Sequence, residues 1–140
     1  MRWLGVDLGA RRVGLASSED DEGPAFALRT VTIADGGEVA AVLEAVGEER
    51  AEAVVIGLPI EMSGREGLAA RRVRGIARSI AEARPGLRIV FVDERLSTRE
   101  ASAQLLASGK RGRAVRADVD RVAAKILLDV HLAAEARRRA

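Results

Sequence analysis

The alternation of apolar and polar positions near the start of the chain predicts three short strands. Apolar runs cover residues 3–6 and 13–16 on either side of a turn at Gly9, and a third run covers 28–33 after an acidic loop. Runs joined by so short a turn should pair antiparallel. We therefore expect the chain to begin with a unit of three antiparallel strands.

From residue 35 onward the pattern changes to helices that alternate with single strands. Apolar positions 39, 42, 43 and 46 have the spacing of one helix, and positions 69, 73, 76 and 80 that of another. A continuous apolar run at 53–56 predicts a buried central strand, and residues 87–92 predict a fifth strand. Ser97 and Glu100 form a capping box for a helix that Gly109 would close, and a stripe from 119 to 130 predicts the last helix.

This order of elements predicts a single α/β domain over residues 1–140. We expect a mixed five-stranded sheet, with the first three strands antiparallel and helices on both faces. Right-handed crossovers would put the fourth and fifth strands beside the first. No stretch approaches the roughly 20 apolar residues needed to cross a bilayer, and the start lacks a secretory signal pattern. We therefore expect a cytoplasmic location and no membrane partner.

The composition limits the kinds of catalytic, metal-binding and phosphate-binding site that the chain can form. The chain has no cysteine and one histidine, His131, which excludes disulfides, thiolate nucleophiles and Cys- or His-rich zinc sites. The net charge is only +2, but residues 1–64 carry 5 Arg and 12 acids, while 65–140 carry 18 Lys or Arg and 9 acids. Arginine suits bidentate contact with phosphate, although solvated surface charge would explain the composition equally well.

Three acids fall where such a sheet could gather them. Asp7 ends the first strand, Glu94 follows the fifth, and Asp120 lies in the first turn of the last helix. Singly, each is explained as a turn cap, a solvated acid or a helix N-terminal acid. Together they would repel one another unless a cation compensates them. Oxygen ligands favour Mg²⁺ or Mn²⁺, which could support metal-dependent hydrolysis of a phosphodiester.

Basic residues near these acids are candidate contacts for nucleic acid. They precede the last helix or follow Asp7: Lys110, Arg111, Arg113, Arg116, Arg11 and Arg12. A basic loop could follow a phosphate backbone, although it could also be a solvated surface. The three aromatic residues are too few for an extended platform on which bases stack. Recognition of phosphates and shape favours a structured or double-stranded partner.

Four ordered blocks carry a family resemblance: GVDLGARRVGLA, GLPIEMSGREG, DERLST and DVDRVAAKILL. They cover nearly the whole chain and resemble the YqgF/RuvX family, described both as pre-16S ribosomal RNA nucleases and as Holliday junction resolvases. The resemblance implies a ribonuclease H-like fold and a metal-dependent nuclease. It implies that Asp7, Glu94 and Asp120 are the catalytic residues and metal ligands. Asp120 fits the family pattern better than Asp118, because a basic residue and a double alanine follow it.

The same resemblance assigns secondary roles. Arg95 is implied as a phosphate contact, and Asp93, Ser97 and Thr98 as supporting residues. Ala10 and Glu61 depart from the family pattern, and Glu61 adds negative charge to a loop expected near the site. The resemblance favours trimming the 5′ end of pre-16S rRNA in ribosome biogenesis, with branched DNA as the alternative substrate. The expected assembly is a monomer or a weak homodimer.

Two other functions remain open from the sequence. The Asp-Leu-Gly turn between early strands also occurs in actin-like and sugar-kinase-like phosphotransferases, but those close two lobes over ATP and 140 residues supply one. A non-catalytic nucleic-acid-binding protein would keep the fold and the basic loop. Retention of all three acids favours the nuclease over that alternative.

Overall fold

The computed structural model describes residues 1–95, 103, 107, 109 and 113–140, apart from the side chains of 113–117. Its strands are β1 (Trp3–Leu8), β2 (Arg12–Ser18), β3 (Phe26–Thr32), β4 (Ala53–Leu58) and β5 (Arg88–Asp93). Its helices, over the described elements, are α1 (Glu38–Glu49), α2 (Leu68–Ala83) and α3 (Arg113–Arg139). Over the described residues, the predicted order of elements is confirmed.

The sheet is mixed, as predicted. Its strand order is β3-β2-β1-β4-β5. The first three strands pair antiparallel, while β4 pairs parallel with β1 and with β5. The β1–β2 turn is short enough to force the antiparallel pairing, and the Gly9 amide donates to the Arg12 carbonyl at 2.8 Å to close it.

Side chains alternate between two cores, one on each face of the sheet. On β1, Leu4, Val6 and Leu8 lie in the core with α1 and α2. Trp3 points the other way and packs with Leu127 of α3 and its neighbours. Because the side-chain period of a strand is two, Asp7 lies on the same face as Trp3. The sheet therefore presents Asp7 to α3.

Helix α3 lies unusually close to this face because small residues line both sides of the contact. A Cβ atom at Gly5 would lie 2.6 Å from the Ala124 carbonyl oxygen, and one at Gly14 would overlap the Asp120 carbonyl. Ala123 and Ala124 are fully buried on the helix side. This close packing brings the backbone of Asp120 directly onto β2.

The predicted start of the last helix was wrong. Helix α3 begins at Arg113, so Arg113 and Arg116 lie in the helix rather than in a loop, and Asp120 lies about two turns inside it. After Gly112 the sequence RAVRA contains no helix breaker, and alanine and arginine are strong helix formers. Asp120 is therefore not a helix N-terminal acid, which removes one of its simpler explanations.

Two strand boundaries also differ from prediction. Asp7 lies inside β1 and Gly57 inside β4, where pairing with neighbouring strands extends both elements to a leucine. Ser97, Thr98, Lys110 and Arg111, with the helix predicted between Ser97 and Gly109, lie outside the described residues or are described too sparsely to assess. Within the described part of the chain, no helix has the length and hydropathy required for a transmembrane span.

Candidate metal and nucleic-acid site

The position of Asp7 beside Asp120 follows from the pairing of β1 with β2. Asp7 is the cross-strand partner of Gly14. Gly14 has no side chain, and the Asp120 backbone occupies the space a Cβ atom would need. A larger residue at position 14 would displace α3 from the sheet beside Asp7. The glycine is thus a steric requirement for bringing these two acids into one region.

Glu94 reaches the same region from β5, across β4. Its amide donates to the Leu58 carbonyl at 3.2 Å, which continues the pairing of the two strands beyond β5. The Glu94 side chain then crosses Gly57, where its Oε2 would lie 2.8 Å from a Cβ atom. The Asp7 and Glu94 carboxyl groups are hydrogen bonded to each other. The structure therefore brings together acids that are 87 positions apart in the sequence.

The electrostatics of this acid pair favour a shared proton. Burial, followed by the charges of Glu94 and Asp120, raises the pKa of Asp7 to about 8. Burial also raises the pKa of Glu94, although the hydrogen bond from Asp7 opposes that increase. At neutral pH, Asp7 is therefore the protonated donor and Glu94 the acceptor. A nearby divalent cation would displace this proton, because it stabilises both ionised carboxylates.

Asp120 has a different compensating group. Its Oδ2 lies 3.1 Å from Nε of Arg12. Burial raises the pKa of Asp120, and the positive charge of Arg12 opposes the increase. This ion pair lacks hydrogen-bond alignment: Oδ2 is buried and has no hydrogen-bond partner among the described residues. Arg12 thus neutralises Asp120 without satisfying its oxygen.

The carboxylate oxygens of these acids are chemically suitable ligands for a hard divalent cation. In this structure, however, they are not arranged around one common position. Among the described residues, no three Asp, Glu or His side chains form a group that could hold a metal ion. The acids instead divide between the hydrogen-bonded pair of Asp7 and Glu94 and the contact of Asp120 with Arg12. The buried Oδ2 of Asp120 and the pair of carboxyl groups nevertheless supply the oxygen ligands that Mg²⁺ and Mn²⁺ prefer.

A groove borders the acids on the β2 side. It has a volume of about 460 Å³ and is lined by Gly9, Ala10, Arg11, Arg12, Thr32 and Asp120. Arg11 is exposed, and the Arg12 side chain is 44% exposed. The groove therefore offers two cations at the entrance to the acidic region. The groove could accommodate the phosphate contacts predicted for Arg11 and Arg12, and these contacts remain predictions.

Arg95 has partners within the protein. Its Nη2 donates to Asp93 Oδ2 at 2.6 Å, and its Nη1 donates to the Glu61 carbonyl at 3.2 Å. The Arg95 hydrogen bond lowers the pKa of Asp93, so Asp93 stays ionised. The pair ties the end of β5 to the loop after β4. This agrees with a supporting role for Asp93 and leaves less of Arg95 available to phosphate.

The sequence did not reveal several residues that support the site without belonging to the cluster of acids. Arg72 of α2 donates to the Gly9 carbonyl at 3.2 Å and to Glu38 at 3.0 Å. Glu38 is only 8% exposed, so this contact ties both helices to the β1–β2 turn. Gly14 and Gly57 were also missed as spacers. Side chains alternate between the two faces of a strand, so counting along β4 to Gly57 and along β5 to Glu94 could have placed both positions on the face of Asp7.

Comparisons with known proteins agree on a nuclease family. The family model RuvX, described as Holliday junction resolvase, matches residues 1–134. A relative from Anaeromyxobacter dehalogenans is 40% identical over 129 residues, covering 91% of this chain and 93% of its own length. One from Cutibacterium acnes is 37% identical over 126 residues, covering 90% and 78%. Both relatives are named "Putative pre-16S rRNA nuclease".

A comparison of folds agrees with the expected ribonuclease H-like architecture. The chain is similar to Thermus thermophilus RuvC in complex with a Holliday junction substrate, with a TM-score of 0.59 and 19% identity. The match covers 96% of each chain. A second Thermus thermophilus RuvC structure gives a TM-score of 0.53. At this identity the likeness concerns the fold, and it confirms the fold prediction.

Proposed function

This chain belongs to the RuvX family, and from that premise we propose that it is a metal-dependent nuclease acting on the 5′ end of pre-16S rRNA. The observation that carries the proposal is the hydrogen-bonded pair of Asp7 and Glu94, with Asp120 close enough to raise the pKa of Asp7 further. Burying acids together destabilises a fold unless a proton or a cation compensates them, and such clusters are typical of functional sites. The family assignment supplies the reaction class.

Asp7, Glu94 and Asp120 are the residues that would hold the cation. When bound, Mg²⁺ or Mn²⁺ would lower the pKa of water and stabilise charge on the phosphodiester oxygens. Asp7 and Glu94 would lose their shared proton, and the backbone of β1 and the end of β5 would keep both carboxylates oriented. Gly14 and Gly57 would fix the spacing between these acids. Hydrolysis would need no covalent intermediate with the protein.

The substrate would approach through the groove beside Arg11 and Arg12. Phosphate contacts there would position a strand without reading its bases. Trp3 is buried and Phe91 is partly buried, so the exposed Phe26 is the remaining aromatic side chain of the sequence, which is too few for a platform on which bases stack. A folded or double-stranded RNA element therefore suits the groove better than an extended single strand. We expect a single domain acting in the cytoplasm as a monomer or weak homodimer.

A Holliday junction resolvase is the second candidate function, because the matching family model carries that description. Resolution of a four-way junction requires two symmetric cuts and therefore two active sites in a dimer. Trimming of an RNA end requires one active site. Assembly state and substrate preference thus distinguish the two candidates.

The deciding experiment compares two labelled substrates. An RNA containing the 16S 5′ leader and a four-way DNA junction would each be incubated with the protein in Mn²⁺, Mg²⁺ or EDTA. We expect metal-dependent cleavage of the RNA, which Asp120→Asn abolishes and Asp118→Asn retains. Asp118 is a matched control because it lies on the same helix and pairs with Arg121 at 3.2 Å. Selective cutting of the junction would replace the RNA proposal with the resolvase.

A further inference from the structure

The contact between Arg12 and Asp120 places a positive charge beside a buried carboxylate oxygen that has no hydrogen-bond partner among the described residues. The Asp120 side chain is 15% exposed, and its buried Oδ2 has no hydrogen-bond partner in the described residues although Arg12 Nε is 3.1 Å away. A positive charge is close to this oxygen, but its N–H is not directed at it. Such a contact is easily exchanged for another cation.

The backbone of Arg12 is fixed, while its side chain has room to move. Arg12 pairs with Thr32 of β3, and its carbonyl accepts from the Gly9 amide at 2.8 Å. The side chain is 44% exposed and lines the open groove together with Arg11 and Thr32. Movement of the guanidinium away from Asp120 would therefore leave the strand intact. The guanidinium would stay in the groove assigned to phosphate.

We propose that Arg12 is an exchangeable internal cation: it holds Asp120 until a divalent metal replaces it, and the released guanidinium then binds the substrate phosphate. This inference rests on the proposed function and adds a link between metal binding and nucleic-acid binding. It explains why the three acids lie together without a closed ligand set in the described residues. Arg12 acts as a positioning residue, first for Asp120 and then for the substrate.

The exchange has two opposite thermodynamic effects. Arg12 competes with the metal for Asp120, so removing Arg12 should tighten metal binding. Arg12 also contributes to phosphate binding once it is released, so its removal should weaken nucleic-acid binding when metal is present. Binding linkage is reciprocal, so the metal should strengthen nucleic-acid binding less in a variant that lacks Arg12.

The test compares Arg12→Gln with Arg11→Gln. Each removes one cation from the same groove, but the contact with Asp120 involves Arg12. Titration calorimetry with Mn²⁺, in the absence of nucleic acid, should show about 1.5- to 5-fold tighter binding for Arg12→Gln, the range expected for losing a partly exposed ion-pair competitor. Arg11→Gln should stay close to wild type. Thermal denaturation in EDTA would verify that both variants are folded.

A second readout measures nucleic-acid binding with Ca²⁺ or EDTA, using the hairpin RNA of the 16S leader under conditions without cleavage. Ca²⁺ should strengthen binding to wild type and Arg11→Gln more than to Arg12→Gln. Equal changes in Mn²⁺ affinity for both variants, or weaker Mn²⁺ binding by Arg12→Gln, would overturn the exchange. Failure of wild type to bind Mn²⁺ would overturn the proposed metal-dependent function as well, so the two failures are distinguishable.

Discussion

The two ends of the contact between α3 and the sheet both contain ionisable side chains, but the partners of their acids differ. At the end near Trp3, Asp21 accepts from Trp3 Nε1 at 2.7 Å, and Glu135 lies 3.0 Å from Arg88. At the other end, Asp7, Glu94 and Asp120 lie together, and the Arg12 guanidinium contacts Asp120. Acids with matched partners stabilise the fold. The clustered acids mark the site that should bind a metal.

His131 supports this comparison. It is 5% exposed, packs against Trp3 with 4.7 Å between ring centroids, and lies 3.3 Å from Glu135. Burial lowers the pKa of His131, so the ring is neutral at pH 7. A neutral ring in a buried aromatic contact behaves as part of the core. A buried titratable group is therefore insufficient by itself to identify a functional site.

Removing a carboxylate from the cluster of Asp7, Glu94 and Asp120 should have the largest effect on cleavage. We expect Asp7→Asn and Glu94→Gln to reduce metal-dependent cleavage by at least about 100-fold, since each removes a proposed ligand that orients the cation. Asp21→Asn, at the other end, should retain the wild-type rate. Single-turnover cleavage of the 16S leader RNA would measure all three. If Asp7→Asn cleaved the RNA at the wild-type single-turnover rate, Asp7 would have no role in the reaction.

The next largest effect should come from moving Glu94 without changing it. In Gly57→Ala, the new methyl group would lie 2.8 Å from both Glu94 Oε2 and Leu127 Cδ1. We expect cleavage to fall about 10-fold or more and the free energy of unfolding to fall by about 1–3 kcal/mol. Gly75→Ala on α2 is the matched control, because a Cβ atom there meets nothing within 4 Å. It should be active and slightly more stable.

The pH dependence of stability should reveal the buried acid pair. Because the pKa of Asp7 is about 8 in the folded protein and near 4 when unfolded, the unfolded chain releases this proton first as pH rises. Stability in EDTA should therefore fall from about pH 4 to about pH 8, the interval between these pKa values. Asp7→Asn should remove this loss and be more stable at pH 8, by about 1–3 kcal/mol.

Denaturant unfolding in EDTA at pH 5 and pH 8 would check that prediction. The advantage of Asp7→Asn over wild type should be larger at pH 8 than at pH 5. Excess Mn²⁺ should reverse the order at pH 8, because the metal stabilises the ionised wild-type acids by binding the folded state. An advantage that does not change with pH would mean that Asp7 is ionised in the folded protein.

The smallest effect should come from the end where charges are matched. In Glu135→Gln, the side chain can still pack, and it loses ion pairs with the exposed Arg88 and Arg138. We expect a loss of about 0.5–1 kcal/mol in the free energy of unfolding and no change in cleavage rate. Thermal unfolding and the RNA assay would measure these effects. A large loss of cleavage would contradict the separation between the two ends.

Much of the fold could be predicted because hydrophobic periodicity and short connections determine it locally. The Gly9 turn indicated antiparallel β1 and β2, and the runs at 53–56 and 87–92 indicated the parallel strands. The start of α3 could not be placed, because acids such as Asp118 suggested a helix N-terminus. Helix propensity extends through RAVRA, and contacts with the sheet then stabilise the longer helix.

The acids of the candidate site could be named from the sequence, but their relationships could not. The contact between Asp120 and Arg12 depends on how closely α3 approaches β2, which Gly14 determines through packing across 106 positions. The path of Glu94 over Gly57 similarly depends on the register of β4 and β5. Such contacts require the assembled sheet. Hydrophobic periodicity along the chain does not contain that information.

The most direct test of the central claim is an anomalous-scattering map from crystals of the protein grown with Mn²⁺. We expect an Mn²⁺ peak in contact with carboxylate oxygens of Asp7, Glu94 and Asp120, with the Arg12 guanidinium away from Asp120. A peak that excludes these acids, or crystals that bind no Mn²⁺ at saturating concentration, would contradict the account.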